Sequence, residues 1–294
     1  MIRLFGIAGT AAALAGLLPH PHQAAAGAAE PVTPAPAAAP QQDFHWRGRI
    51  AQGEQIQVLN IIGDIRAEPT DGDEVTVTGV RSGRGAERIR VEVVRRASGT
   101  VICAIYPGDG GSRWRDDDDD DDRGEPRDAC NSRRRVTIDD DDGRVNFTVR
   151  VPAGVRLAAR TVSGNVEARR LRGPVDARSV SGDVRVATAG PVEASSVSGD
   201  VFAELGRMGD RDLEFRSVSG SVTLEVPAGI DADFEAGTLS GSIESDFPVQ
   251  LARREGRGRY NIRVGQQARA RLGRGGPTLH VTTVSGDVTL RRAR

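Results

Sequence analysis

A chain of 294 residues is long enough to bury a sizeable core, and its formal net charge of −1 gives no overall field that would draw nucleic acid or an anionic surface. All 40 basic residues are arginine, which excludes lysine nucleophiles and Schiff-base chemistry. Aromatic residues make up only 4% of the chain, which suits a narrow core of small side chains and leaves little to build a sugar site.

Residues 1–29 read as a secretory signal. Arg3 supplies a positive start, and Leu4 to Leu18 is apolar but too short to span a bilayer as an ordinary helix. Small residues follow, with cleavage expected after Ala26 or Ala29; a short membrane anchor is the alternative reading. No later segment is apolar enough to cross a membrane as a helix, so the expected location is extracytoplasmic: secreted, periplasmic or cell-surface. Residues 30–43 are rich in Pro and Ala and read as an extended linker with nothing to bury.

The body of the chain is expected to span residues 44–294. Short alternating runs, Gln55 to Val58, Val75 to Thr78, Ile89 to Val93 and Val101 to Ile105, predict strands. Residues 107–143 interrupt them. Asp116 to Asp122 is a run of seven aspartates bordered by arginines, and Asp139 to Asp142 adds four more. Such a block repels itself and predicts a solvated, disordered loop insertion. Cys103 and Cys130 flank the first run, and two cysteines in an exported chain are expected to pair. That bridge would stabilise the fold by roughly 3 kcal/mol in the chain-entropy treatment.

From Arg160 onward one phrase returns six times: Thr161-Val-Ser-Gly-Asn-Val166, Ser179-Val-Ser-Gly-Asp-Val184, Ser196-Val-Ser-Gly-Asp-Val201, Ser217-Val-Ser-Gly-Ser-Val222, Thr238-Leu-Ser-Gly-Ser-Ile243 and Thr283-Val-Ser-Gly-Asp-Val288. An altered copy, Asn60-Ile-Ile-Gly-Asp-Ile65, precedes them. The phrase glycines are spaced by 18, 17, 21, 21 and 45 residues, and a period near 20 is the mark of a solenoid. Ser-Gly-Asp is a turn former, Gly173-Pro174 and Gly190-Pro191 mark second corners, and the residues between alternate with period two. Each coil therefore reads as strand, Ser-Gly turn, strand, Gly-Pro corner, with apolar residues at both ends of the phrase. Stacked coils would share one continuous core. The predicted fold is all-β, a single-chain parallel β-solenoid of the β-helix or β-roll kind. The 45-residue gap is expected to hide a degenerate coil, and the last phrase to cap the stack.

The repeated phrase, the Val-Pro-Ala-Gly lead-in at Val151 and Val226, and the closing Gly276-Pro-Thr-Leu-His-Val-Thr-Thr-Val-Ser-Gly-Asp-Val-Thr-Leu290 resemble the bacterial putative-adhesin family of unknown function. The resemblance covers roughly residues 44–294 and is strongest from 144 onward. It implies an extracytoplasmic β-solenoid domain, and the acidic insertion departs from its simple pattern.

Four kinds of chemistry can be weighed against the residues. Asp183, Asp200 and Asp287 share one phrase position, and stacked carboxylates could hold Ca²⁺; the same aspartates equally suit the turn itself. The Asp116–Asp122 run could take calcium or a cationic partner, against a plain solvated loop. Clustered carboxylates on a solenoid could cleave acidic polysaccharides, yet no positioned acid–base pair stands out, and beyond the signal only His45 and His280 remain. Arg133-Arg134-Arg135 and Arg253-Arg254 are too neutralised for nucleic acid. No catalytic residue is assigned. The expected function is a non-catalytic binding or structural module with an unknown envelope or surface partner. A polysaccharide-acting enzyme and an envelope-stress regulator are the alternatives.

Overall fold

Alternating apolar and polar side chains between tight corners leave the chain one economical arrangement, two sheets that share their inward faces. The computed structural model describes residues 44–107, 130, 143–255 and 263–293, with the side chains of 252–264 excepted. These residues lie within one unit, Pro40–Arg294. The expected signal, the linker and the acidic runs fall outside them.

Twenty-one strands form, and no α-helix occurs among the described residues. The first seven are β1 (Phe44–Arg49), β2 (Gln55–Leu59), β3 (Ile65–Thr70), β4 (Glu74–Ser82), β5 (Arg90–Arg96), β6 (Gly99–Ile105) and β7 (Arg144–Pro152). Four regular coils follow: β8 (Arg156–Ser163) with β9 (Val166–Leu171), β10 (Val175–Ser181) with β11 (Val184–Thr188), β12 (Val192–Ser198) with β13 (Val201–Leu205), and β14 (Leu213–Ser219) with β15 (Val222–Val226). The chain ends in β16 (Ala232–Ser240), β17 (Ile243–Ser245), β18 (Gln250–Glu255), β19 (Arg263–Leu272), β20 (Thr278–Ser285) and β21 (Val288–Arg292).

In each regular coil the first strand joins one sheet and the second joins the other. The first sheet runs β1-β4-β7-β3-β9-β11-β13-β15-β21-β17, and the second runs β18-β19-β16-β20-β14-β12-β10-β8-β2-β6-β5. The coil strands pair in parallel, while β1, β4, β5, β18 and β19 are antiparallel additions at the ends. This is the parallel solenoid that the repeat predicts. Between the sheets lie Val, Leu, Ile and Ala side chains with the fully buried Phe147, Phe215 and Phe234. Each fully buried Val or Leu contributes roughly 1.5–3 kcal/mol.

Chain order and spatial order part company at both ends. The coil β2–β3 sits between β6/β7 and β8/β9, and the coil β20–β21 sits between β14/β15 and β16/β17. The last phrase is therefore an interior rung and does not cap the stack, contrary to the sequence expectation. Nor does the 45-residue gap hold a degenerate coil: it holds β17 and the antiparallel pair β18 and β19 before the chain returns as β20. In chain order the acidic runs fall between β6 and β7, the step from second sheet to first at which the other coils carry their Ser-Gly phrase.

The phrase stacks as two ladders of hydrogen bonds. Its first residue points inward and is buried, and its hydroxyl donates to the phrase-glycine carbonyl of the preceding coil in space. Ser179 reaches Gly164 at 2.8 Å, Ser196 reaches Gly182 at 2.8 Å, Thr283 reaches Gly220 at 2.8 Å and Thr238 reaches Gly286 at 2.9 Å. In the altered copy Asn60 takes this position, and its amide donates to the carbonyls of Gly63 and Val145. The glycines form a column of their own. At Gly182 φ is +149°, and an added Cβ would overlap the carbonyl oxygen of Gly164, so no side chain fits.

Candidate functional site

The residue after each phrase glycine forms the second ladder, on the exposed corner. Asp64 Oδ1 accepts the N–H of Asn165 at 2.9 Å, Asn165 Oδ1 that of Asp183 at 2.8 Å, Asp183 Oδ1 that of Asp200 at 3.0 Å, and Asp200 Oδ1 that of Ser221 at 2.8 Å. Ser221 Oγ then accepts from Asp287 at 3.2 Å, and Asp287 Oδ1 accepts both the N–H and the hydroxyl of Ser242. These bonds hold the Asp287 carboxyl below its ordinary value, the backbone N–H of Ser242 first and its hydroxyl second. Asp183 and Asp200 thus lie on neighbouring coils, whereas Asp287 is separated from Asp200 by the Ser221 rung. Each of the three spends one oxygen on a backbone N–H, and the other Asp183 oxygen meets Arg185 at 2.9 Å. No group of three or more His, Cys, Asp or Glu side chains gathers to hold a metal among the described residues.

Cys103 and Cys130 form the expected disulfide, with Cα atoms 5.7 Å apart. Cys130 packs on Leu59, Val101 and Cys103, with Val94 and Ile105 alongside. In register these are outward positions of the second sheet. The bridge therefore holds Cys130 against the outer face of β2 and β6, and outward side chains that would otherwise meet water are buried there.

Beyond β8 the same outer face is open, and its side chains stand in three rows. The first row is acidic: Asp176, Glu193, Glu214 and Glu235, broken by His280. His280 lies 3.6 Å from Glu235 and 3.8 Å from Asp212. The second row holds Arg160, Arg178, Ser195, Arg216, Thr282 and Gly237. Asp176 bridges Arg160 at 3.3 Å and Arg178 at 3.0 Å, and Glu214 pairs with Arg216. Burial is the largest influence on the Arg160 guanidinium and pushes its pKa below the ordinary value, with Asp176 opposing.

The third row is apolar. Val180, Val197, Val218, Val284 and Leu239 are the second residues of successive phrases, each 43–47% exposed, and half-buried Val162 begins the row. At the strand spacing of about 4.8 Å these six side chains run for about 24 Å. Of the two apolar ends of the phrase, only the last residue lies in the core. The signal was available: counting by twos from the inward Val175 and Ala177 reaches Ser179 and leaves Val180 outside.

Asp116–Asp122 and Arg133-Arg134-Arg135 lie outside the described residues, as do the side chains of Arg253-Arg254. Comparison with known proteins bears on the repeats. The family model described as Toastrack DUF4097 matches residues 181–291. Among solved structures, a putative cell adhesion protein from Clostridium sporogenes ATCC 15579 is similar at 7% identity and a TM-score of 0.43, covering 86% of this chain and 100% of that one. A putative adhesin from Bacteroides fragilis NCTC 9343 gives 12% identity, a TM-score of 0.23 and coverage of 86% and 98%. One from Parabacteroides distasonis ATCC 8503 gives 10%, 0.24, 86% and 98%. No curated protein matches the chain. The match to the Toastrack DUF4097 model, from Ser181 to Arg291, falls on the part of the chain that carries the repeated phrase.

Proposed function

We propose that the chain is a non-catalytic binding or structural module, exported from the cytoplasm, which presents the open outer face of its second sheet to a component of the cell envelope or an exterior surface. One observation carries this reading: an apolar side chain stands half-exposed at the same place on six stacked coils, next to rows of arginines and carboxylates. Ordered rows of this kind suit contact along a length of surface and offer no enclosed place for a reaction. The disulfide fits an oxidising compartment, in line with the N-terminal sequence.

The test is capture of fractionated cell envelope by the wild-type chain and by Val197→Asp with Val218→Asp, each with and without a calcium chelator. The doubly substituted chain is expected to lose capture while keeping its circular dichroism spectrum; unchanged capture would sink the reading. Capture by the wild type is expected to survive chelation, because Asp183, Asp200 and Asp287 already accept backbone N–H groups. Loss on chelation would favour calcium on those three aspartates.

A further inference from the structure

We infer that the partner of the apolar row is a second copy of this chain, packed face to face with its coils running in the opposite direction. The inference rests on the open face being a binding surface, and a second copy seated there competes with the envelope component for the same rows.

Period is the first reason. Six apolar side chains repeat at about 4.8 Å, and a partner must carry the same period to meet all of them. A second row of the same kind does so, side chain against side chain. The coils that carry the row stack in the order β8, β10, β12, β14, β20, β16. A two-fold axis between β12 and β14, lying in the face and across the stack, sets Val197 against Val218 of the second copy, Val180 against Val284 and Val162 against Leu239. Such an interface is closed and self-complementary.

Charge is the second reason, and it selects the reversed direction. In the arginine row the same axis sets Arg216 against Ser195, Arg178 against Thr282 and Arg160 against Gly237. Every arginine meets a small uncharged residue, and none meets another arginine. In the acidic row Asp176 faces His280. Glu193 faces Glu214, and both are already partnered within their own chain, Glu193 by Arg211 at 3.6 Å and Glu214 by Arg216.

Size sets the strength. Three rows about 6.8 Å apart and about 24 Å long cover roughly 450 Å² per copy, against about 800 Å² per partner in a standard stable interface. The dimer is accordingly weak and concentration-dependent.

The experiment is sedimentation of the purified chain from about 10 μM to about 1 mM, a span suited to a weak interface. Wild type is expected to pass from monomer toward dimer. Val197→Asp with Val218→Asp should stay monomeric, and Thr223→Asp, on the outer face of the other sheet, should dimerise as wild type does. Direction is read by cross-linking. Val180→Cys mixed with Val284→Cys should give a disulfide-linked pair under mild oxidation, whereas Val180→Cys alone should not, since its two copies lie three coils apart. A wild type that stays monomeric at about 1 mM overturns the proposal, as does a dimer that survives the paired aspartates or a cross-link with Val180→Cys alone. If wild type is monomeric yet the aspartate pair abolishes envelope capture, self-association fails and the binding face stands. If dimerisation is lost and capture is untouched, the envelope reading fails and self-association stands.

Discussion

The middle of the solenoid and its two ends solve one packing problem by different routes. From β8 to β15 each coil lies beside the coil that precedes it in sequence, as a repeat protein is expected to build. At each end a coil is slotted between two others: β2–β3 inside β6/β7, and β20–β21 inside β16/β17. The corner bonds take no notice of the difference. Ser196 reaches back 14 residues to Gly182, and Thr283 reaches back 63 to Gly220, at the same 2.8 Å. The phrase therefore specifies a slot in the stack. It does not specify which neighbour fills the next slot.

The strongest way to test this contrast is to remove an interior coil and an edge strand. Leu279, Val281, Val288 and Leu290 are fully buried, and deleting residues 278–292 strips the pairing partners from both flanking coils. No cooperatively folding protein should remain by thermal melting. A chain beginning at Ile50 loses only β1, an edge strand whose residues are half-buried or exposed, and should still melt cooperatively. Comparable losses from the two deletions would show that the slotted coil has no special standing.

Glycine substitutions sharpen the comparison next. Gly182→Ala in the middle and Gly286→Ala in the slotted coil each drive a Cβ into the carbonyl of the glycine beside it. Each should cost roughly 3 kcal/mol in urea unfolding, the upper end for strained backbone. A much milder Gly286→Ala would mean that the slotted coil stacks more loosely. Hydroxyl removal is smaller: Ser179→Ala and Thr283→Ala each leave a glycine carbonyl short of its donor and should cost about 1–3 kcal/mol. Similar values at the two sites would support the shared corner.

The smallest effect is confined to acid. The Asp287 carboxyl is held below its ordinary value of 3.8 by Ser242. Its contribution is present above the unfolded value and disappears as pH falls through the lower folded one. Asn at this place can accept the same N–H, as Asn165 does. Asp287→Asn should therefore match wild type in stability near neutrality and fall less steeply below about pH 3.8. Curves that stay parallel into acid would remove Asp287 from the ladder's energetics.

Much of this arrangement is legible in the residues. The glycine spacing yields the coil corners, the alternation yields the two sheets, and two cysteines in a chain with an export-like start yield the bridge. The slotting is not legible, because a corner that bonds any neighbour alike carries no record of chain order. Asp183, Asp200 and Asp287 read from sequence as turn formers or as calcium ligands, and neither reading contains their bond to the next coil. Asn165, Ser221 and Ser242 occupy the same position, and what all six share is an oxygen able to accept a neighbour's N–H. The exposed valines are legible only by parity, counted along each strand from a residue known to face inward.

Placing β20–β21 inside the stack also decides how the protein resists tension. A pull on residue 293 along β21 meets ladders on both sides, to β15 and β17, and cannot peel a strand from an edge. β20 follows under the same pull, between β14 and β16. Four parallel ladders must slide together, so rupture demands many bonds at once and not one after another. Forced unfolding is governed by the height of that barrier and not by equilibrium stability, and a module held to a surface by this end would give way late and all at once.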